Sequence, residues 1–316
     1  MTINSKMLAM FGQGGAMFGV EMLELEKKYG NIIAMSSDVS TPAGMDKFKT
    51  TFPDKFINFG IAESNMIGTA AGLSDEGFKT IAVAQACFMS MRCFEQVRQY
   101  VGYMQIPQIL IGIGSGFSLS FMGNTHYALE DIALMKTVPD LNVIAPCDAL
   151  QAMEALRAAV ESNQPTYIRL FGGTGTPVIY QDECEFKIGK ANVLIPEGDI
   201  QIIATGSMVS NAISVALQLK KEGINASVVD MHTIKPLDTE VIDMNTKAIV
   251  TVEEHRKVSG LGSSVADYLA AFDKHPKLVK IGVEDKFSPV GDYNYLLEQN
   301  GLSVDKIVSQ IKSIKF

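Results

Sequence analysis

The chain alternates short apolar runs with amphipathic helical segments, and this alternation limits the folds that it can adopt more than any other feature. Apolar runs such as residues 31–35, 80–84 and 108–113 are bounded by turn residues and separated by segments of helical period. Helices between buried strands cover both faces of a parallel sheet. The pattern therefore predicts an α/β fold built on doubly wound parallel sheets.

The same patterns place individual elements along the chain. In the first half, strands are predicted at residues 31–35, 56–59, 80–84, 108–113, 142–145 and 166–170, and helices at 14–29, 63–73, 90–103, 129–135 and 149–161. In the second half, strands are predicted at 200–204, 226–230, 248–252 and 278–281, and helices at 207–221, 262–271 and 304–312. Asp148 suits the N-cap of the helix that follows it.

A glycine-rich segment divides these two sets of elements. Residues 172–177 contain three glycines and a proline, and the polar residues 181–183 follow. A length of 316 residues fits about two domains. We therefore expect two doubly wound domains, a parallel-sheet domain over residues 1–178 and a smaller α/β domain over residues 186–316.

Charge and cysteine usage exclude some classes of function. Lys and Arg number 27 and Asp and Glu number 35, which gives a net charge of −8. An acidic chain without a basic run argues against nucleic acid or an anionic membrane as its partner. The four cysteines lack C-x-x-C spacing, which indicates free buried thiols in a reducing cytoplasm.

Two apolar runs could be mistaken for membrane signals. Residues 7–20 contain four glycines and Gln13, and no cleavage site stands out. Residues 106–123 are uncharged but are broken by Pro107, glycines and serines. We expect a buried strand and loop in the second run, and a cytoplasmic protein overall.

Glu63 is the first candidate functional residue. It stands at the predicted start of a helix, and its neighbours in residues 58–68 are mostly apolar or small. Acidic residues are common in first helical turns, where they interact favourably with the helix dipole. A carboxylate in apolar surroundings is also suited to acid–base chemistry. The residue pattern alone leaves both interpretations open.

Several motifs in order resemble the C-terminal half of transketolase-like, thiamine-diphosphate-dependent enzymes. The matching stretches cover essentially the whole chain, and they are residues 59–63 with 70–73, 91–98, 123–126 with 130–133, 139–149, 167–170, 235–238, 252–255 and 260–263. Each stretch is weak alone, whereas the ordered set is specific. The resemblance implies a pyrimidine-binding domain and a C-terminal domain made as a separate polypeptide.

The resemblance also implies roles for individual residues. Glu63 matches the family glutamate that touches N1′ of the cofactor's aminopyrimidine and shares a proton with it, which activates the cofactor. His126 matches the histidine that faces the substrate and handles its oxygens. Phe88 lies near the aromatic residue that stacks on the pyrimidine, with core packing as the alternative. The family has a further phenylalanine three positions earlier, where this chain has Gln85.

The remaining predicted contacts are less specific. Arg92 lines the pyrimidine site or forms an ordinary salt bridge, and the sequence favours neither. Asp38 follows a strand end, where α/β proteins place ligand groups, and Ile61 belongs to the Glu63 motif, so both are predicted cofactor contacts. The other three histidines, at positions 232, 255 and 275, are expected to be structural or surface residues.

One family motif is missing from the sequence. The family holds the cofactor's diphosphate through a metal bound by a G-D-G motif, but Gly-Asp occurs here only at 198–199 and 291–292, followed by Ile200 and Tyr293. We assign no metal ligand to this chain. The resemblance therefore implies a separate N-terminal-type subunit that carries the diphosphate and Mg²⁺, or Ca²⁺ or Mn²⁺, in a dimer or heterotetramer.

Four positions depart from the residues that bind sugar in the family. By alignment, two arginines and a histidine that hold the sugar phosphate are replaced by Gly15, Gly114 and Gly172, and an aspartate that reads a substrate hydroxyl is replaced by Met122. Phosphate sites are built from cations and hydrogen-bond donors. We expect a substrate that lacks the terminal phosphate or presents it differently, with an unusual hydroxyl pattern.

These observations favour one function over three alternatives. The favoured function is the C-terminal subunit of a two-subunit transketolase that moves a two-carbon ketol from a ketose to an aldose. The enzyme alternatives are a carboligase like deoxyxylulose-phosphate synthase and the β subunit of a 2-oxo-acid dehydrogenase. The third is a non-catalytic scaffold subunit, which the three glycines support and the retained Glu63 and His126 oppose.

Overall fold

The computed structural model describes residues 5–172, 177–181 and 183–314, and within them the strands form two sheets. The strands are β1 Ile32–Ser36, β2 Phe56–Asn58, β3 Lys79–Gln85, β4 Gln108–Ile113, β5 Asn142–Ile144, β6 Thr166–Arg169, β7 Asn192–Ile195, β8 Ile200–Ala204, β9 Ala226–Asp230, β10 Thr233–Lys235, β11 Ala248–Arg256 and β12 Lys277–Val283.

Helices connect most of these strands. The α-helices are α1 Ser5–Ala16, α2 Met22–Tyr29, α3 Ser40–Ala43, α4 Asp46–Thr51, α5 Glu63–Asp75, α6 Phe94–Gln96, α7 Asp131–Thr137, α8 Ala149–Ser162, α9 Met208–Lys221, α10 Leu261–Leu269, α11 Tyr293–Gln299 and α12 Val304–Lys312. Met17–Glu21, Phe88–Arg92 and Val97–Tyr103 are π-helical, and Pro53–Lys55 and Ser120–Met122 are 3₁₀ turns.

The first sheet has the order β10-β5-β6-β4-β3-β1-β2, in which β1 to β6 are parallel. Successive side chains of a strand point to opposite faces. Ile81 and Val83 of β3 pack in a core with α2 and α8, whereas Ala82 and Ala84 pack in a core with α5 and α7. Both faces are therefore covered by helices, and the prediction of a doubly wound sheet is confirmed.

The second sheet, of order β12-β11-β8-β9-β7, is built in the same way. Ile202 and Val250 face a core that contains α9 and α12, and Ile203 and Ile249 face a core that contains α10. The prediction of a second α/β unit is confirmed by this arrangement.

Several predicted bounds differ from the structure. Strand β10 pairs antiparallel with β5, so residues 233–235 of the second half join the first sheet. Strands β7 and β10 and helix α11 were not predicted, because short edge strands and a seven-residue helix carry too little periodicity. The first helix begins before Gly14, although Gly12 interrupts it with φ of 61°. Residues 173–176 of the predicted domain boundary lie outside the described residues.

The described linker is hydrogen-bonded to elements of both halves. Asp148 caps α8 as predicted, since its Oδ1 accepts from the backbone N–H of Gln151 at 2.9 Å. Its Oδ2 accepts from the backbone N–H groups of Ile179 and Tyr180 at 2.9 and 2.8 Å. The Tyr180 hydroxyl in turn donates to Asp230 at the end of β9, at 2.8 Å. This node ties the linker to both halves.

Asp230 makes the stability of the fold depend on pH. Its carboxylate is buried, and this burial raises its pKa to about 6. The folded chain therefore binds more protons than the unfolded chain between about pH 4 and 6. The free energy of unfolding falls as the pH rises through this range, and it stays low above pH 6, where Asp230 is charged in both states. Asp230→Asn should raise the free energy of unfolding by about 3 kcal/mol at pH 8 and by little at pH 4. Denaturant titrations at both values test this, and an equal difference at both would contradict it.

Two further features bear on the sequence predictions. Cys87, Cys93 and Cys147 are buried free thiols, and Cys184 is half-buried and free. Across the residues that the structure describes, every helix is too short or too polar to cross a membrane. The uncharged run that resembled a membrane segment forms strand β4, as expected.

Candidate active site

The candidate site lies where the parallel strands of the first sheet end. Strands β6, β4, β3, β1 and β2 are neighbours in that order, so their carboxyl ends share one edge of the sheet. Gln85 ends β3, Gly114 follows β4, Gly172 comes after β6, and Glu63 follows β2. α/β folds bind ligands at this edge.

A short loop after β2 presents Glu63. The buried Ser37 hydroxyl donates to the carbonyl of Gly60 at 2.8 Å and accepts from the N–H of Ala62 at 3.2 Å. Gly60 has a φ of +65°, a left-handed conformation that glycine adopts without strain. Glu63 then begins α5 with 3% of its surface exposed. The carboxylate is therefore buried at a helix start, fixed by the loop before it.

Arg92 pairs with the Glu63 carboxylate. Its Nη1 donates to both carboxylate oxygens, at 3.0 and 3.1 Å, although 46% of the Arg92 side chain is exposed. The guanidinium carbon also lies 3.9 Å from the ring centroid of Phe88. Arg92 thus forms a salt bridge and at the same time lies at the candidate cofactor site, so both of its proposed roles are compatible with the structure.

His126 adjoins the same group of side chains. Its ring centroid is 5.3 Å from that of Phe88 in an edge-on arrangement, and its Nδ1 is 2.9 Å from the Thr125 hydroxyl. The structure therefore brings Glu63, Arg92, Phe88 and His126 into one continuous row. We call these four residues the carboxylate–histidine row.

The other predicted contacts lie on adjoining exposed surface. Asp38 is exposed, with its N–H bonded to the Asn58 amide oxygen at 3.1 Å. Ile61 is 77% exposed in the loop before Glu63, and Met122 is 40% exposed before the His126 loop. Their assignment to cofactor and substrate stays a prediction.

The carboxylate–histidine row fits the pyrimidine half of thiamine diphosphate. A buried carboxylate can share a proton with a ring nitrogen, and a neighbouring aromatic face can stack on a flat heterocycle. Arg92 makes both kinds of contact in this structure, to Glu63 and to Phe88. Within the described ranges, no cluster of three or more His, Cys, Asp or Glu residues is arranged to hold a metal.

A cavity of about 410 Å³ lies beside the row at the same sheet edge. It is lined by Gly14, Pro42, Ala43, Gln85, Ile113, Gly114, Ser118, Leu119, Leu170, Phe171, Gly172 and Tyr293, none of which is charged. Gln13 fixes one wall, since its Oε1 accepts from the N–H groups of Phe171 and Gly172 at 2.8 and 3.4 Å. We call this space the glycine cavity.

Two of the three aligned glycines line the glycine cavity. Gly114 and Gly172 do so, but in α1 it is Gly14 that lines it, while Gly15 lines a separate groove. Gly12 has non-helical backbone angles, which interrupt α1 just before Gly14 and Gly15. The alignment of Gly15 with a family residue that holds the sugar phosphate stays a prediction.

Sequence reasoning missed a buried polar network behind the row. Arg169 and Asp131 are 3% and 0% exposed, and Arg169 Nε donates to Asp131 at 2.8 Å. The guanidinium also donates to the carbonyls of Ala128 and Glu254, at 3.0 and 2.8 Å, and Tyr167 donates to Asp131 at 2.9 Å. This network joins the His126 loop, the first sheet and strand β11.

The remaining histidines lie in structural settings. His255 is buried, and its Nε2 accepts from the N–H of Ala133 at 3.3 Å. His232 is buried and stacks on Phe186 with ring centroids 4.3 Å apart. Burial lowers the pKa of both imidazoles to about 4. His275 lies near the surface, with Nδ1 donating to the Pro276 carbonyl at 2.8 Å.

Comparison with protein families matches both halves of the chain. Residues 15–171 match the transketolase pyrimidine-binding domain, and residues 189–307 match the transketolase C-terminal domain. The chain is 37% identical over 296 residues to a putative transketolase C-terminal section from Methanocaldococcus jannaschii, with 93% of each chain covered.

Other relatives are named as subunits of transketolases that act on unusual sugars. The chain is 35% identical over 291 residues to an apulose-4-phosphate transketolase subunit from Phocaeicola vulgatus, covering 90% of this chain and 92% of the relative. It is 35% identical over 290 residues to a 6-deoxy-6-sulfo-D-fructose transketolase subunit from a Clostridium species, covering 91% and 89%. Matched 1-deoxy-D-xylulose-5-phosphate synthases are longer, and the chain spans less than half of their length.

A solved structure shares the fold over nearly the whole chain. It is described as a split-gene transketolase in an inactive β4 tetramer, with a TM-score of 0.85 and 36% identity. The similarity covers 95% of this chain and 97% of that one.

Proposed function

Since the chain belongs to the transketolase family, we propose that it is the C-terminal subunit of a two-subunit transketolase that depends on thiamine diphosphate. The carboxylate–histidine row supports this proposal most directly, because it offers a buried carboxylate, an aromatic face and a histidine on one side of a sheet edge. The missing G-D-G motif supports a partner chain that holds the diphosphate and Mg²⁺.

Three members of the row, Glu63, Phe88 and His126, have a task in ketol transfer. Thiamine diphosphate, when bound, supplies an electron sink for the carbanion that the transferred ketol group requires. Glu63 binds the aminopyrimidine N1′ and holds a proton there, and Phe88 stacks on the ring. His126, in the loop beyond the sheet edge, moves a proton at the substrate oxygen.

The uncharged glycine cavity supports an atypical sugar substrate. Among the described residues that line it, none offers the cation that a phosphate group would need. The names of the relatives mention a sugar phosphate and a sulfosugar, and these names support an unusual sugar. Both sugars carry an anionic group, so the names do not support a substrate without phosphate or sulfonate. We therefore propose that the substrate is a ketose with an unusual terminal group. We also propose that the assembled enzyme is a cytoplasmic heterotetramer.

The reaction product separates this function from its enzyme alternatives. The chain is co-expressed with an N-terminal-type subunit and assayed with thiamine diphosphate, Mg²⁺, a panel of ketose donors and an aldose acceptor. Transfer of a two-carbon ketol to the aldose would support the proposal. Release of carbon dioxide from a 2-oxo acid, with or without carboligation, would contradict it.

A further inference from the structure

A pair of hydrogen bonds joins the loop that carries His126 to the C-terminal domain. Nδ2 of Asn124 donates to the backbone carbonyl of Ser288 at 2.8 Å, and Oδ1 of Asn124 accepts from the backbone N–H of Ser288 at 3.2 Å. An asparagine amide offers both an acceptor and a donor, as a backbone peptide does. The two groups therefore satisfy each other across 164 positions of the chain, and we call them the Asn124–Ser288 pair.

The Ser288 end of this pair is fixed within the C-terminal domain. Ser288 is buried, and its hydroxyl donates to the side-chain oxygen of Asn300 at 2.9 Å. The side-chain nitrogen of Asn300 in turn donates to the carbonyl of Leu296 in α11, at 2.8 Å. Asn124 therefore binds a buried segment whose position is set by α11.

The base of the loop is held separately from its tip. The N–H groups of Gly116 and Ala128 each donate to the carbonyl of the other, at 3.0 and 3.1 Å. The N–H of Phe117 donates to the buried carboxylate of Glu254 at 2.5 Å. Asn124 itself is exposed, at the tip of the loop. Loss of the Asn124–Ser288 pair should therefore loosen the tip and leave the base of the loop in place.

The tip of the loop carries the histidine of the carboxylate–histidine row. Asn124 precedes His126 by two residues, and the N–H of His126 donates to the carbonyl of Gly123 at 2.9 Å, so both residues belong to one tight turn. The Thr125 hydroxyl lies 2.9 Å from Nδ1 of His126 within the same turn. The position of the imidazole therefore follows the position of this turn.

We propose that Asn124 is a positioning residue, which holds His126 in place through its pair with Ser288 of the C-terminal domain. This inference rests on the proposed function and gives the C-terminal domain a part in ketol transfer. A misplacement of a reacting group by about 1 Å can lower the rate of a reaction about 100-fold. Asn124→Ala should therefore lower kcat by roughly 10- to 100-fold.

Kinetics of the assembled enzyme test this role. The parameters kcat and KM are measured for wild type and Asn124→Ala with the ketose of the donor panel that wild type uses fastest. The value of kcat is expressed per bound thiamine diphosphate, so that inactive protein is not counted. We expect kcat and kcat/KM to fall together, because the histidine acts in the transition state. A raised KM with an unchanged kcat would mean that Asn124 itself binds the sugar, and it would overturn the positioning role.

Asn211 offers a matched control. It is a half-buried asparagine of α9, and its Nδ2 donates to the backbone carbonyl of Leu302 at 3.1 Å, across 91 positions of the chain. It lies outside the glycine cavity and the carboxylate–histidine row. Asn211→Ala should keep the kcat of wild type per bound cofactor. An equal fall of kcat in the two variants would overturn the specific role of Asn124.

Hydrogen–deuterium exchange of the full chain tests the pair without catalysis. The N–H groups of His126 and Tyr127 both donate to the carbonyl of Gly123, so their exchange reports on the turn. Loss of two hydrogen bonds should speed their exchange by about tenfold or more in Asn124→Ala, and Asn211→Ala should not change it. Unchanged exchange in Asn124→Ala would overturn the inference, whatever reaction the enzyme catalyses.

The outcomes separate this inference from the function on which it rests. Ketol transfer with the same kcat per bound cofactor in wild type and Asn124→Ala would overturn the role of Asn124 and leave the function standing. Absence of ketol transfer by the wild-type assembly from every donor would overturn both the function and the part of Asn124 in it.

Discussion

Replacing Glu63 with glutamine should lower the turnover number of the assembled enzyme by about 100- to 10,000-fold, the range expected when a proton-transfer group is lost. Glutamine keeps the size of the side chain and can still accept from Arg92, but it cannot share a proton with a ring nitrogen in the same way. Because Arg92 is half exposed, loss of the ion pair should change the free energy of unfolding by only about 1 kcal/mol. Steady-state kinetics and denaturant unfolding measure the two effects.

Glu21 provides the control for this substitution. It is also a buried glutamate paired with an arginine, since Arg157 Nη2 lies 2.8 Å from its Oε2, but it belongs to the first helical segment and not to the carboxylate–histidine row. Glu21→Gln should retain turnover. Unchanged turnover in Glu63→Gln would support the scaffold alternative in place of the catalytic one.

Replacing Arg169 with methionine should lower the free energy of unfolding by about 3–5 kcal/mol. The substitution leaves the buried Asp131 carboxylate without its ion-pair partner and removes the donor to the carbonyls of Ala128 and Glu254. These groups join the loop that carries His126 to strand β11. Equilibrium unfolding in urea, followed by circular dichroism, measures the loss.

Arg157 is the matched control for Arg169. It also pairs with carboxylates, at Glu21 and Glu154, but 40% of its side chain is exposed, so water screens these pairs. Arg157→Met should therefore cost much less than Arg169→Met. Equal losses in the two variants would show that the buried network contributes nothing special to stability.

The strongly periodic elements could be predicted from the sequence. Strands β4, β8 and β9 have the predicted bounds, because each is a mostly apolar run closed by turn residues. Strand β10 could not be predicted, since its three residues join the first sheet through a pairing with β5 that lies about ninety residues earlier in the chain.

One part of the candidate site could be predicted from local sequence motifs, and another part depends on which strands pair. The motifs named Glu63, Phe88, Arg92 and His126, and the structure places them in one row. The sequence showed Gln85 only as a departure from a family phenylalanine. The glycine cavity, which Gln85 lines together with Gly114 and Gly172, forms only when strands β3, β4 and β6 pair.

Titration of this chain with its N-terminal-type partner tests the central claim most directly. The two purified chains are mixed at increasing ratios with thiamine diphosphate and Mg²⁺, and ketol transfer and cofactor binding are measured at each ratio. We expect neither chain alone to transfer a ketol, and both signals to rise together and saturate at one partner per chain. Ketol transfer by this chain alone, or an assembled pair that binds no thiamine diphosphate, would contradict the account.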